Sequence, residues 1–170
     1  MGERMRAILG SAVFLVIAPG VLAGLVPWWI TRWEMLTPFA GYGAIRVIGV
    51  LFIVAGLPVL LDSFARFALL GLGTPAPVLP TRHLVVQGFF RYVRNPIYVA
   101  VTLLIAGQAL VFADWRLLAL AAVFWLCCHV FVLAYEEPTL RRTFGREYES
   151  YCAGVRRWLP RFTPWRGDAG

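Results

Sequence analysis

PIYVAVTLLIAGQALVFADWRLLALAAVFWLCCHVFVLAYEE, residues 96–137, holds two apolar runs parted by Asp114, Trp115 and Arg116, and it closes on two adjacent glutamates. A helix needs about 20 mostly apolar residues to cross the roughly 30 Å hydrocarbon core of a bilayer. The runs 96–113 and 117–135 approach that length, and Pro96 is a good first helical residue. So short a link makes the two an antiparallel hairpin whose ends return to one membrane face. This predicts an all-α, polytopic membrane protein.

The rest of the chain agrees. Of its 170 residues, 60% are hydrophobic and only 15% charged, and the mean hydropathy is +0.73. A soluble domain carries about 25% charge. Two further spans are expected at about 7–30 and 42–61, which makes about four transmembrane helices in one membrane-embedded domain over 1–170. Pro19-Gly20 should kink the first span, a break that neighbouring helices can make good. Trp28, Trp29 and Trp33 mark its exit at the headgroup level. Between the second and third spans lies a loop, 62–95, whose GLGTPAPVLP stretch cannot be regular helix, and the tail 136–170 follows the fourth.

The net charge of +7 rests on arginine alone, since the chain has no lysine. Arg4, Arg6, Arg66, Arg82, Arg91, Arg94 and every arginine after Tyr135 fall on one side of the four spans. Arg32, Arg46 and Arg116 fall on the other. Positive charge collects on the cytoplasmic side, so both termini are expected there, as in a bacterial inner membrane. The same rule accounts for the basic character without a nucleic-acid partner. Cys127, Cys128 and Cys152 show neither metal-ligand spacing nor a disulfide framework.

In the tail, Leu140, Phe144, Tyr148, Tyr151 and Val155 recur at helical spacing, with Arg141, Arg142, Arg146 and Glu149 off that stripe. An amphipathic cytoplasmic helix beginning at Pro138 is expected, and Trp158, Phe162 and Trp165 suit an interfacial anchor after it. His129, within the fourth span, is read as a helix–helix hydrogen bond. Asp62, Ser63 and Arg66 read as a local polar border.

Chemistry is sought in two places on the cytoplasmic side. Glu136 and Glu137 end an uninterrupted apolar helix, where an ionisable group needs a cavity or a partner. Neighbours on a helix point about 100° apart, so one acid can face inward while the other pairs outward, and Glu136 is favoured as the inward one. Arg94-Asn95-Pro96-Ile97-Tyr98 joins a guanidinium to a helix N-terminus, a combination that favours an anion. A non-enzymatic membrane binding or transport protein using the glutamate pair is the alternative, although a coupling acid belongs nearer the centre of a span.

Taken together, LVVQGFFRYVRNPIYVA (84–100) and YEEPTLRRTFGREYESYCAGVRRWLPR (135–161), with the GTPAPVLP lead-in, resemble the isoprenylcysteine carboxyl methyltransferase and phospholipid methyltransferase superfamily. The resemblance implies an integral membrane methyltransferase that binds S-adenosyl-L-methionine in a cytoplasm-facing pocket and takes a lipid or lipophilic acceptor from the bilayer. It maps cofactor contacts onto Arg82, His83, Leu84 and Val85, onto Phe90 two residues past Gly88, onto Arg94, Asn95, Pro96, Ile97 and Tyr98, and onto Glu136 and Glu137. Arg82 and Asn95 replace two histidines of the carboxyl methyltransferase pattern. The arginine which that branch places one turn before the glutamates, to meet a prenylcysteine carboxylate, is missing from Phe131, Val132, Leu133 and Ala134. A carboxylate, amine or thiol acceptor stays open, no catalytic base is assigned, and no metal is implied.

Overall fold

The computed structural model describes residues 3–36, 42–70 and 84–167, and among these every regular element is helical. The first span is a continuous helix: α1 (Glu3–Leu15), a π-helical stretch (Val16–Leu25) and α2 (Val26–Thr31). α3 is Tyr42–Leu70, α4 Pro96–Phe112 and α5 Trp115–Phe131. A second π turn (Val132–Glu136) carries α5 into α6 (Glu137–Phe144), and α7 is Arg146–Gly154. A short 3₁₀ turn, Gly88–Arg91, precedes α4.

Three helical stretches are long and apolar enough to cross a membrane: Ile8–Thr31, Gly43–Arg66 and Trp115–Phe144. α4, at 17 residues, is shorter, and it is the most thoroughly enclosed. Ala100, Val101, Leu104, Ile105 and Ala109 of α4 are buried between Leu60 and Phe64 of α3 and Leu117 and Ala121 of α5. Large apolar side chains on the other helices, among them Val16, Ile17, Leu51, Val54, Val123 and Leu126, face outward. That is the pattern of a bundle solvated by lipid.

Two expectations of extent are corrected. The second span does not stop at 61, because α3 continues through Asp62 and Ser63 to Leu70. Asp62 and Arg66 lie one turn apart and pair at 2.9 Å, so the polar border continues the helix, and Ser63 is fully buried within it. The amphipathic tail helix is two helices. It breaks at Gly145 (φ 51°, ψ −124°), a backbone conformation open to a residue without a Cβ.

The first span meets its prolines by widening. Pro19 lies inside the π stretch, consistent with a ring that cannot fit a regular α turn without losing a hydrogen bond. The Ala23 carbonyl of the same stretch accepts from Gln108 Nε2 of α4 at 2.7 Å, a polar side-chain tie between neighbouring helices. At the far end of the bundle Arg116 donates to Ile30 O at 2.9 Å and Arg46 to Leu36 O at 3.3 Å, gathering the minority arginines on one face.

α3 and α4 meet backbone to backbone. A Cβ on Gly49 would lie 2.6 Å from Gly107 O, and one on Gly107 would lie 2.7 Å from Gly49 O and from Ile53 Cγ1. Small residues that let backbones approach are the usual packing device between helices in lipid, where no hydrophobic force drives them together. Gly49→Ala is therefore expected to destabilise the ligand-free protein by about 1–3 kcal/mol through overpacking. Gly24→Ala, where nothing lies within 4 Å of the added Cβ, is expected to be neutral or stabilising by up to about 1 kcal/mol. Thermal unfolding in detergent distinguishes the two.

Candidate active site

The site forms where α4 begins, α5 passes into α6, and the tail folds back. Pro96 sits at the first position of α4 and directs Arg94 and Asn95 toward the end of the hairpin. The backbone N–H of Arg94 donates to Arg156 O at 2.9 Å, that of Arg161 to Tyr92 O at 2.9 Å and that of Trp165 to Arg91 O at 2.9 Å. The tail thus runs as a strap along residues 91–94. Asn95 Nδ2 adds a bond to Arg157 O at 3.2 Å.

Glu137 is the electrostatic centre of this arrangement. It is 6% exposed. Arg157 Nε approaches its Oε1 at 2.6 Å and Arg157 Nη2 its Oε2 at 3.0 Å, a fork matched to a carboxylate. Arg94 Nη1 lies 3.3 Å from the same Oε1 and 2.6 Å from Cys152 Sγ. The carboxylate in turn holds the Arg157 guanidinium above its ordinary range, chiefly through the hydrogen bond. Glu136 is differently engaged: its Oε2 accepts from the Tyr98 hydroxyl at 3.1 Å.

Two small cavities adjoin here. One, about 60 Å³, is lined by Leu84, Val85, Phe90, Arg94, Asn95, Val132, Glu136, Glu137, Leu140, Tyr148 and Tyr151. The other, about 70 Å³, is bordered by Phe14, Phe90, Arg94, Asn95, Pro96, Ile97, Tyr98 and Glu136. Phe90, Arg94, Asn95 and Glu136 form the wall common to both. The Nε of Arg94 is buried there without a hydrogen-bond partner.

Each candidate residue within the described stretches borders one of these cavities: Leu84, Val85, Phe90, Arg94 to Tyr98, Glu136 and Glu137. Arg82 and His83 lie outside the described residues, as does the Gly71–Pro80 stretch. Sequence reasoning did not place Phe14, Val132, Leu140, Tyr148, Tyr151 or Arg157 at the site. For three of these the signal was present, since Leu140, Tyr148 and Tyr151 belong to the helical stripe of the tail. That stripe faces the protein, where Tyr148, Tyr151 and Val155 form a second core with Leu84, Val86 and Trp165.

Of the three aromatic residues expected to anchor the tail at the interface, Trp158 and Trp165 pack against the protein. Trp158 Nε1 donates to His129 Nδ1 at 2.9 Å, and the His129 ring stacks on Trp125 at 5.1 Å. His129 therefore binds the tail to α5, where a bond to another span was expected. Trp165 packs on Tyr151 at 5.6 Å, and Phe162 remains exposed.

The Tyr151 hydroxyl donates to Phe90 O at 2.6 Å and so fixes the 3₁₀ turn. Burial raises the pKa of Tyr151 and of Tyr148 above tyrosine's ordinary value. The unfolded chain ionises near pH 10 while the folded chain resists, so the stability they contribute is intact below about pH 10 and falls above it. The slope is about 1.4 kcal/mol per pH unit for each. Arginine stays charged throughout this range. Tyr151→Phe is expected to lose about 0.5–1.5 kcal/mol at pH 8 with its hydrogen bond, yet to decline less steeply than the parent from pH 10 to 11. Unfolding midpoints across that range test this.

No curated protein and no solved structure matches the chain significantly. The phospholipid methyltransferase family model matches residues 44–147, more than half of the chain. Because that stretch contains the 3₁₀ turn, the Arg94–Tyr98 entry to α4 and both glutamates, the chain belongs to the phospholipid methyltransferase family.

Proposed function

We propose that the protein is an S-adenosyl-L-methionine-dependent methyltransferase that acts at the cytoplasmic membrane face on a lipophilic acceptor, whose nucleophile is a carboxylate, amine or thiol. The observation that carries this reading is the buried, unpartnered Arg94 Nε in a wall shared with Glu136. A buried donor without an acceptor is costly. Beside a second carboxylate, it suits a zwitterion.

The side chains fit the chemical parts of this donor. Arg94 would hold its carboxylate and Glu136 its ammonium, while Phe90, Tyr148, Tyr151, Leu84 and Leu140 offer an aromatic and apolar enclosure for adenine. Glu137, saturated by Arg94 and Arg157, keeps the Arg94 guanidinium in position.

When bound, the donor supplies a methyl group already activated on sulfonium. The chain's task is positioning and exclusion of water, which together account for much of the advantage of a bound reaction. Tyr98, hydrogen-bonded to Glu136, and Phe14 of α1 border the second cavity. Phe14 comes from the first span, whose Val16 and Ile17 face outward, so that cavity adjoins a lipid-facing helix, in keeping with lateral entry of the acceptor. The arginine distribution supports a cytoplasmic site.

Titration calorimetry with the donor or its demethylated product is expected to show saturable binding to folded protein in detergent. Glu136→Gln keeps the shape and removes the charge, and losing a charged hydrogen bond costs about 1.5–3 kcal/mol. Binding should weaken at least tenfold, with the ligand-free unfolding midpoint nearly unchanged. Glu137→Gln should instead lower that midpoint. Absence of saturable heat from the parent protein would overturn the assignment.

A further inference from the structure

A second feature lies on the opposite side of the 3₁₀ turn. An open apolar groove of about 500 Å³ runs between α3 and α4, with Pro58, Val59, Val99 and Leu103 among its walls. It continues at Arg66, Gly88 and Tyr92 into a polar groove of about 550 Å³ bordered by Arg66, Arg91, Arg166 and Trp165. Phe89 borders the apolar half, whereas its neighbour Phe90 borders both cavities of the candidate active site. The turn therefore separates the two sites.

We propose that this groove binds an anionic glycerophospholipid as a structural ligand, distinct from the acceptor of the methyl group. The shape is amphiphilic, with an acyl chain's surroundings at one end and a headgroup's at the other. The guanidinium groups of Arg66, Arg91 and Arg166 border the polar half with no carboxylate among its described lining residues, and Asp62 borders the apolar half. Asp62 takes both its bonds from Arg66 Nε, at 2.9 Å each, and among the described residues no acceptor meets the two terminal amino groups of Arg66, which an outside anion could occupy. Guanidinium matches phosphate bidentately, and basic pockets between helices at the membrane boundary select anionic lipid. A zwitterionic headgroup would bring its ammonium among three arginines and be disfavoured. Tyr92, which borders both halves, suits the headgroup level.

The groove is built around Gly88. At φ +55° this residue accepts a conformation that L side chains rarely adopt, and a Cβ there would overlap Asp62 and Arg66. The close fit docks the turn onto the end of α3. Arg66 belongs to α3, Arg91 to the turn and Arg166 to the tail strap, where Arg91 Nε also donates to Trp165 O at 2.6 Å. One phosphate held by all three would tie the end of α3 to the turn and to the strap, so the lipid should stabilise the fold as well as bind.

The experiment is native mass spectrometry of the full chain from mixed micelles containing equal amounts of phosphatidylglycerol and phosphatidylcholine, paired with unfolding midpoints in each lipid alone. Phosphatidylglycerol is expected to be retained at least tenfold over phosphatidylcholine and to be the lipid that raises the midpoint. Arg166→Gln changes an exposed side chain outside the candidate active site, and Leu103→Trp fills the apolar half. Each should cut phosphatidylglycerol retention at least fivefold, and Arg66→Gln combined with Arg166→Gln should abolish the midpoint increase. Equal retention of the two lipids, retention of neither because the chain itself fills the groove, or full retention by both single variants would overturn the proposal. None of these readouts depends on binding of the methyl donor.

Discussion

The Glu137 carboxylate, held between Arg94 and Arg157, is the contact on which the polar half of the molecule depends. It joins the end of the long hairpin helix, the segment entering α4, and the tail, three pieces that share no regular secondary structure. Taking a carboxylate out of water is expensive, and its attraction to two cations offsets the penalty only with good geometry. The forked contact at 2.6 and 3.0 Å supplies that geometry. Because removing one partner strands the others, the cluster behaves as a unit.

Within the membrane a different constraint applies. Lipid tails are as apolar as the side chains that face them, so burial of apolar surface does not by itself draw helices together. The bundle relies on close approach at Gly49 and Gly107 and on the donor that Gln108 offers to the Ala23 carbonyl. α4 lies inside, between α3 and α5. Its two ends are set by Pro96 and by Ala113, which ends the helix in a left-handed conformation (φ 60°).

The two glutamates of one dipeptide are engaged differently. Glu137, with both oxygens occupied, acts as a buried anchor. Glu136 has a tyrosine hydroxyl as its partner and borders both cavities. Their separation follows from the helix, which turns neighbouring side chains to different faces, and the π turn that ends at Glu136 falls at the junction itself. Gly88 and Tyr151 then place Phe90 opposite: the glycine lets the turn sit against Asp62 and Arg66, and the tyrosine holds its carbonyl.

The apolar runs, the three-residue turn at Asp114–Arg116 and the one-sided arginines made a helical membrane bundle legible from the amino-acid sequence, because a bilayer demands long apolar helices whatever their neighbours. Glu136, Glu137 and Arg94–Tyr98 stood out for the same reason, as charge at the edge of such helices. The sequence did not determine where helices end in polar surroundings. α3 passes through Asp62 because the Asp62–Arg66 pair supports one more turn, and the tail divides at Gly145. Nor did it show that the stripe of Leu140, Tyr148 and Tyr151 faces protein instead of lipid, since an apolar stripe reads alike against either solvent. Only the tertiary structure decided that, by bringing residues 84–95 and the strap 156–165 together over the glutamates, contacts made between segments about 60 residues apart that no local periodicity encodes.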